Sequence, residues 1–146
     1  MAFTRLLYHI VFSTKDRRPF LKEDLMPRVR EYVGGVIEGD GGHVLAIDGA
    51  EDHLHAALCL PATRAIADMV RVVKANSSKW IHGEMPAMRT FGWQDSYSAF
   101  SVSPSVLPQV VQYIQGQSEH HKKLSFEEEL RRLLDKHGIA YDEQYL

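Results

Sequence analysis

Two short stretches carry side chains whose types and spacing could do chemistry. In Glu51-Asp52-His53-Leu54-His55-Ala56-Ala57-Leu58 the histidines are two apart, the spacing that places both on one face of a β-strand. In Val111-Gln112-Tyr113-Ile114-Gln115-Gly116-Gln117, Tyr113 and Gln117 are four apart, one helical turn above each other. Brought together, two imidazoles, an amide oxygen and a phenol make a metal site with a nucleophile beside it. A free tyrosine titrates near about 10, so at neutral pH it attacks only with help. A cation beside it supplies that help by stabilising negative charge as it develops in the transition state. Two nitrogens and a neutral oxygen leave coordination positions open and select no single metal.

These residues need a strand and a helix to hold them, and the chain supplies both. Leu6 to Phe12 reads as a buried strand ending at the polar loop Ser13 to Pro19. Lys22 to about Ile37 carries a helical stripe of Leu25, Val29, Tyr32, Val33, Val36 and Ile37, stopped by Gly39-Asp40-Gly41-Gly42. His43 to Asp48 is a second strand, and Asp48-Gly49-Ala50-Glu51 a hairpin turn. His53 to Leu60 is a third, ended by Pro61, with Leu54, Ala56, Leu58 and Leu60 on one face and His53, His55, Ala57 and Cys59 on the other. The apolar face should meet the helices, leaving the histidine face free. Ala65 to Ile81 is helical, and Trp93 to Val102 forms one or two final strands. Ser105 is the expected N-cap of a helix running to about Lys123, with Pro108 in its first turn. On that helix Leu107, Val110, Val111 and Ile114 form the buried stripe, and Tyr113, Gln117 and His120 lie along its edge. Phe126 to His137 is a last amphipathic helix, stopped at Gly138. The order β-α-β-β-α-β followed by further helices predicts an α+β, ferredoxin-like (RRM-like) sandwich with a central antiparallel sheet and a C-terminal tyrosine-bearing helix.

Composition sets the frame. A chain of 146 residues, 45% hydrophobic and 25% charged, is expected to be one domain (1–146) with its own core. The single cysteine, Cys59, excludes an intrachain disulfide and fits a reducing cytosol. No signal peptide or membrane-length apolar run is evident, so a cytoplasmic protein without membrane contact is expected. The net charge of −2 hides segregation: Met1 to Arg30 holds seven basic residues against three acidic, and Arg64 to Arg89 five against two. Such local basic patches can bind phosphates on a slightly acidic chain.

The chain resembles the single-tyrosine transposases of the HUH superfamily, the IS200-like family that includes repeat-associated tyrosine transposases. The resemblance rests on His9-Ile10-Val11-Phe12-Ser13-Thr14-Lys15, Glu51-Asp52-His53-Leu54-His55, Lys74-Ala75-Asn76-Ser77-Ser78-Lys79-Trp80 and Tyr113-Ile114-x-x-Gln117. It implies that His53, His55 and Gln117 bind a divalent ion, Mg2+ or Mn2+, and that Tyr113 is the nucleophile. It further implies a single-stranded DNA substrate carrying a hairpin, cut through a 5′-phosphotyrosine intermediate, and a homodimer whose sites are in some relatives completed in trans. Nothing in the catalytic pattern departs from the family. Lys15, Arg17, Arg18, Lys74, Ser77, Ser78, Lys79 and Trp80 are the DNA-contact candidates, through cationic or hydroxyl contacts to phosphate and, for Trp80, base stacking. His120 is a candidate to assist proton transfer beside Tyr113. The alternative is a domesticated hairpin-binding protein with a structural or regulatory role, for which Tyr113 would be unnecessary. A ferredoxin-like RNA-binding module would instead carry stacking aromatics on the strand face that here bears His53 and His55.

Overall fold

Alternating inward and outward residues draw four segments into one antiparallel sheet of order β2-β3-β1-β4: β1 (Leu6–Ser13), β2 (His43–Ala50), β3 (His53–Leu60) and β4 (Ser98–Val102). This is seen in the computed structural model, which describes residues 2–117 and 123–146. Helix α1 (Met26–Gly39) joins β1 to β2, and α2 (Ile66–Glu84) joins β3 to β4. Each helix thus bridges two strands that have a third between them, the interleaved β-α-β arrangement of ferredoxin-like folds. The α+β architecture predicted from the element order is the one observed.

The main core lies where expected. Ile10, Phe12, Leu54, Ala56, Leu58 and Leu60 pack from the sheet against Val29, Val33 and Ile37 of α1 and Met69, Val70, Val73 and Ile81 of α2. The opposite face is not free, contrary to the expectation. Helix α3 (Leu107–Gln115) packs Ile114 onto Ala46 and Ala57. Helix α4 (Phe126–Lys136) packs Phe126, Leu130 and Leu134 onto Val11 and Phe100. The reason is legible in the register: Val11, Ala46, Ala57 and Phe100 share the histidine face, and that apolar surface stabilises the fold only when covered.

Boundaries differ in instructive ways. Helix α1 starts at Met26 with Pro27 in its first turn, four residues later than the stripe suggested. Strand β2 runs through Ala50, which confines the hairpin turn to Glu51-Asp52. Within Trp93 to Val102 only Ser98–Val102 pairs as a strand, while Trp93 makes an isolated bridge to Thr14. Ser105 does not cap α3, because the Ser103 and Ser105 hydroxyls bond each other at 2.7 Å and Val106 takes the cap position. Ser125 does cap α4, accepting from the Glu128 N–H at 3.2 Å, and Gly138 ends that helix region with φ of +67°.

One glycine controls how closely β2 approaches the histidine strand. A Cβ on Gly49 would lie 2.1 Å from the His53 carbonyl oxygen and 3.0 Å from the Leu54 Cα. Neither backbone atom can swing aside, so Gly49→Ala must part the strands beside His53. The expected result is a loss of about 1–3 kcal/mol, the usual cost of overpacking. Urea denaturation of the two proteins checks this, and an unchanged midpoint would contradict it.

Candidate active site

Strand spacing places His53 and His55 side by side, as their sequence positions predict. His53 pairs with Ser13 and Ala50, and His55 with Val11 and Asp48. Helix α3 brings Tyr113 and the following Gln117 over them, and α4 adds Glu129. His53, His55 and Gln117 are 0% exposed and Glu129 is 1% exposed, so the cluster is sealed from solvent. The four residues singled out from the sequence, His53, His55, Tyr113 and Gln117, thus lie together within one chain, joined by two that sequence reasoning did not single out, Glu129 and His9.

Glu129 sits at the centre. Its Oε1 lies 2.9 Å from His55 Nε2 and 3.3 Å from His53 Nε2. Its Oε2 accepts from the Tyr113 hydroxyl and, at 3.1 Å, from Gln117 Nε2. Gln117 Oε1 in turn lies 3.1 Å from His53 Nε2. The far nitrogens of the histidines are also held: His53 Nδ1 donates to Asp52 Oδ1 at 2.7 Å, and His55 Nδ1 bonds His9 Nε2 at 2.8 Å. His9 reaches His55 because β1 and β3 pair so that His9 opposes Ala57, two residues along the same face. The His9 ring also stacks on that of His55, with centroids 5.0 Å apart.

The electrostatics follow from burial and the carboxylates. Burial alone would depress His53, but hydrogen bonds to Asp52 and Glu129 and their negative charge outweigh it and push its pKa up to about 9. For His9, burial and then the neighbouring His55 outweigh the Glu129 charge and push the pKa down to about 3, so it is neutral. Burial and then the Glu129 carboxylate raise Tyr113 above the ordinary tyrosine value, so its hydroxyl keeps its proton at neutral pH.

This donor set fits a divalent cation. His53, His55 and Glu129 each offer one ligand atom, all within 4.8 Å of one another. In both histidines the Nδ1 atom is engaged elsewhere, which turns Nε2 toward the common point, as metal-bound imidazoles require. The Nε2-to-oxygen separations of 2.9, 3.1 and 3.3 Å match adjacent corners of an octahedron, about 3.0 Å for metal–oxygen bonds of about 2.1 Å.

The predicted DNA-contact residues divide. Lys15 and Arg18 are exposed in the loop after β1. Arg17 pairs with Glu127 at 3.3 Å and lies 5.3 Å from the Phe126 ring, so it braces α4. The α2 residues belong to the opposite layer of the sheet from His53 and His55. Lys74 donates to the Gln94 and Ser96 carbonyls at 2.6 and 2.7 Å, and thereby pins the loop before β4. Ser77 is corrected outright: it is buried, donates to the Val73 carbonyl at 2.6 Å and accepts from Trp93 Nε1 at 2.9 Å, which leaves it no reach to a phosphate. Trp80 stacks on Tyr32 with centroids 4.5 Å apart, and Arg28 lies 5.6 Å from its ring. Ser78 is half-buried and Lys79 exposed on the same helix. His120 lies outside the described residues.

The missed residues left signals of different strength. Phe126, Leu130, Leu133 and Leu134 set the apolar stripe of α4, and Glu129 falls inside it, three after Phe126 and four before Leu133. A carboxylate at a core-facing helical position needs a buried partner, and that was readable. His9 offered less, since only the pairing of β1 with β3 shows which face it shares.

Solved structures share the architecture. A putative transposase from Deinococcus radiodurans superposes with a TM-score of 0.67 at 23% identity, covering 80% of this chain and 93% of that one. A REP-associated tyrosine transposase bound to a REP hairpin superposes with a TM-score of 0.62 at 14% identity, covering 83% and 72%. Among characterised sequences, the ISDra2 transposase TnpA of Deinococcus radiodurans is 24% identical over 120 residues, which is 79% of this chain and 86% of that protein. The two solved structures show the fold, and the class of protein is shown by the sequence profile. The profile of the IS200-like transposases matches residues 2–117, and the chain belongs to that family. Strand β3 and Tyr113 and Gln117 lie inside the match; α4 with Glu129 lies beyond it. No helix among the described residues is long and apolar enough to cross a membrane.

Proposed function

We propose that this transposase cuts and rejoins single-stranded DNA at hairpin-flanked sites, with Tyr113 as the nucleophile. The observation that carries the reading is the single buried network in which the Tyr113 hydroxyl, Gln117, His53 and His55 all converge on one carboxylate. His53, His55 and Gln117 would hold Mg2+ or Mn2+. When bound, that cation supplies charge stabilisation to the scissile phosphate. Tyr113 Oη attacks phosphorus as the bond to the 3′ oxygen breaks, leaving a 5′-phosphotyrosine and a free 3′-hydroxyl. The Tyr113 proton already points at Glu129 Oε2, away from the attacking lone pair. A second 3′-hydroxyl reverses the step, joining strands with no other energy source. Tyr113 is half-buried, whereas His53, His55, Gln117 and Glu129 are covered by α3 and α4, so a phosphodiester reaches them only when these helices separate. Exposed Lys15 and Arg18 are the basic groups best placed to meet DNA, and a homodimer is the assembly the family resemblance suggests.

Substrate form tests the reading. A phosphate bent into the site is accessible in a single strand beside a hairpin, whereas stacked duplex resists that distortion. Cleavage on denaturing gels is expected for the hairpin-bearing single strand in Mg2+ or Mn2+, with little for the same sequence as perfect duplex. Binding should weaken steeply with salt. Equal cleavage of both forms would overturn the proposal.

A further inference from the structure

We infer that Glu129 is itself a ligand of the divalent cation, so that the centre is two imidazoles and a carboxylate, with Gln117 as the weaker oxygen donor. This rests on the metal-site reading above, and it concerns a residue outside the stretch that the family profile matches. Glu129 Oε1 lies near both histidine Nε2 atoms, at 2.9 Å from His55 and 3.3 Å from His53; Gln117 Oε1 is 3.1 Å from His53. A divalent ion between the two imidazoles and this oxygen would take over the role of neutralising a carboxylate that is 1% exposed.

Gln117 contributes less for a structural reason. Its amide N–H donates to Glu129 Oε2 at 3.1 Å, so the carboxylate orients the amide. An amide oxygen also carries no formal charge, whereas hard cations such as Mg2+ and Mn2+ favour anionic oxygen. The remaining oxygen of Glu129 holds the Tyr113 hydroxyl. One carboxylate from α4 would then tie the nucleophile to the cation, and packing of Phe126, Leu130 and Leu134 on the sheet fixes where it sits.

The test measures Mn2+ binding by the full chain with manganese chloride as the only ligand, reading free Mn2+ by electron paramagnetic resonance. Thermal melts confirm folding. Loss of a group that only orients a ligand costs about 10–100-fold in affinity, so Glu129→Gln, which keeps shape and removes charge, should cost about 100-fold or more. Gln117→Ala should cost less than Glu129→Gln. If Glu129→Ala fails to fold, the isosteric Glu129→Gln still decides the matter. Mn2+ affinity within twofold of the parent in Glu129→Gln, alongside lost binding in His55→Ala, would overturn the ligand role and leave the histidine site standing. A larger loss in Gln117→Ala than in Glu129→Gln would also overturn it. A parent protein that binds no Mn2+ overturns this inference and the metal-site reading together.

Discussion

Replacing Tyr113 by phenylalanine should abolish covalent attachment to DNA and leave hairpin binding close to the parent level. The phenol is the group that would form the phosphotyrosine, and its removal takes away one oxygen and little contact area. His53, His55 and Gln117, which converge with it on Glu129, carry no hydroxyl. The change should reduce strand transfer to background, well beyond the roughly 10²–10³-fold that loss of a single stabilising hydrogen bond costs in other enzymes. Folding should survive, because Tyr113 is half-buried and its ring still packs against the histidines. The substitution does release the Glu129 oxygen that accepted its hydroxyl, so a small shift in the melt is expected. A denaturing gel for protein–DNA adducts, beside a mobility shift with a hairpin oligonucleotide, separates the two effects. Adducts formed by the phenylalanine protein would remove Tyr113 from the nucleophile's role.

The second large effect concerns the histidines and the cation. Chelation of the parent protein, or His55→Ala, should each lower cleavage by about 10³-fold or more, since the charge building on the scissile phosphate would go unanswered. The two treatments should differ in stability. Chelation leaves every side chain in place, whereas His55→Ala removes one of the contacts to Glu129, at 2.9 Å, and the 2.8 Å contact to His9. Losing the partner of a buried hydrogen-bonding group costs about 1–3 kcal/mol, so the variant should melt lower than the parent. Activity restored to chelated protein by Mg2+ or Mn2+, and not restored to His55→Ala, would agree with the assignment. Full cleavage in excess chelator would count decisively against it.

The residues beyond β3 bear on how the family pattern is used here. The IS200-like profile ends at Gln117, and within that span His53, His55, Tyr113 and Gln117 already meet. The structure adds α4 beyond it, which closes the cluster and brings a carboxylate into its centre. Arg17, expected to face DNA, instead clasps this helix through Glu127 and Phe126. The loop after β1 and the helix over the candidate site are therefore mechanically joined, and a phosphate drawn to the exposed Lys15 and Arg18 would arrive next to that joint.

Much of this was determined by local pattern. Period-two alternation in Leu54 to Leu60 decided which face met α1 and α2, because neighbouring strand residues must point to opposite sides of the sheet. The same rule put His53 and His55 together, and the helical repeat put Tyr113 above Gln117, since both relations are set by backbone geometry within a few residues. The cover on the histidine face was decided elsewhere. It depends on where α3 and α4 dock, and docking follows from burying Val11, Ala46, Ala57 and Phe100, which the sheet register gathers from four strands. Ser77 looked like a phosphate contact because its neighbours are basic; the tertiary structure turned it to Trp93, a residue 16 positions away. His9 and Glu129 joined the site through pairings of 46 and 74 residues' separation to His55. Contacts that distant are selected by packing of whole elements, so no local spacing could have announced them, even though the lone carboxylate in the α4 stripe showed that some buried partner was required.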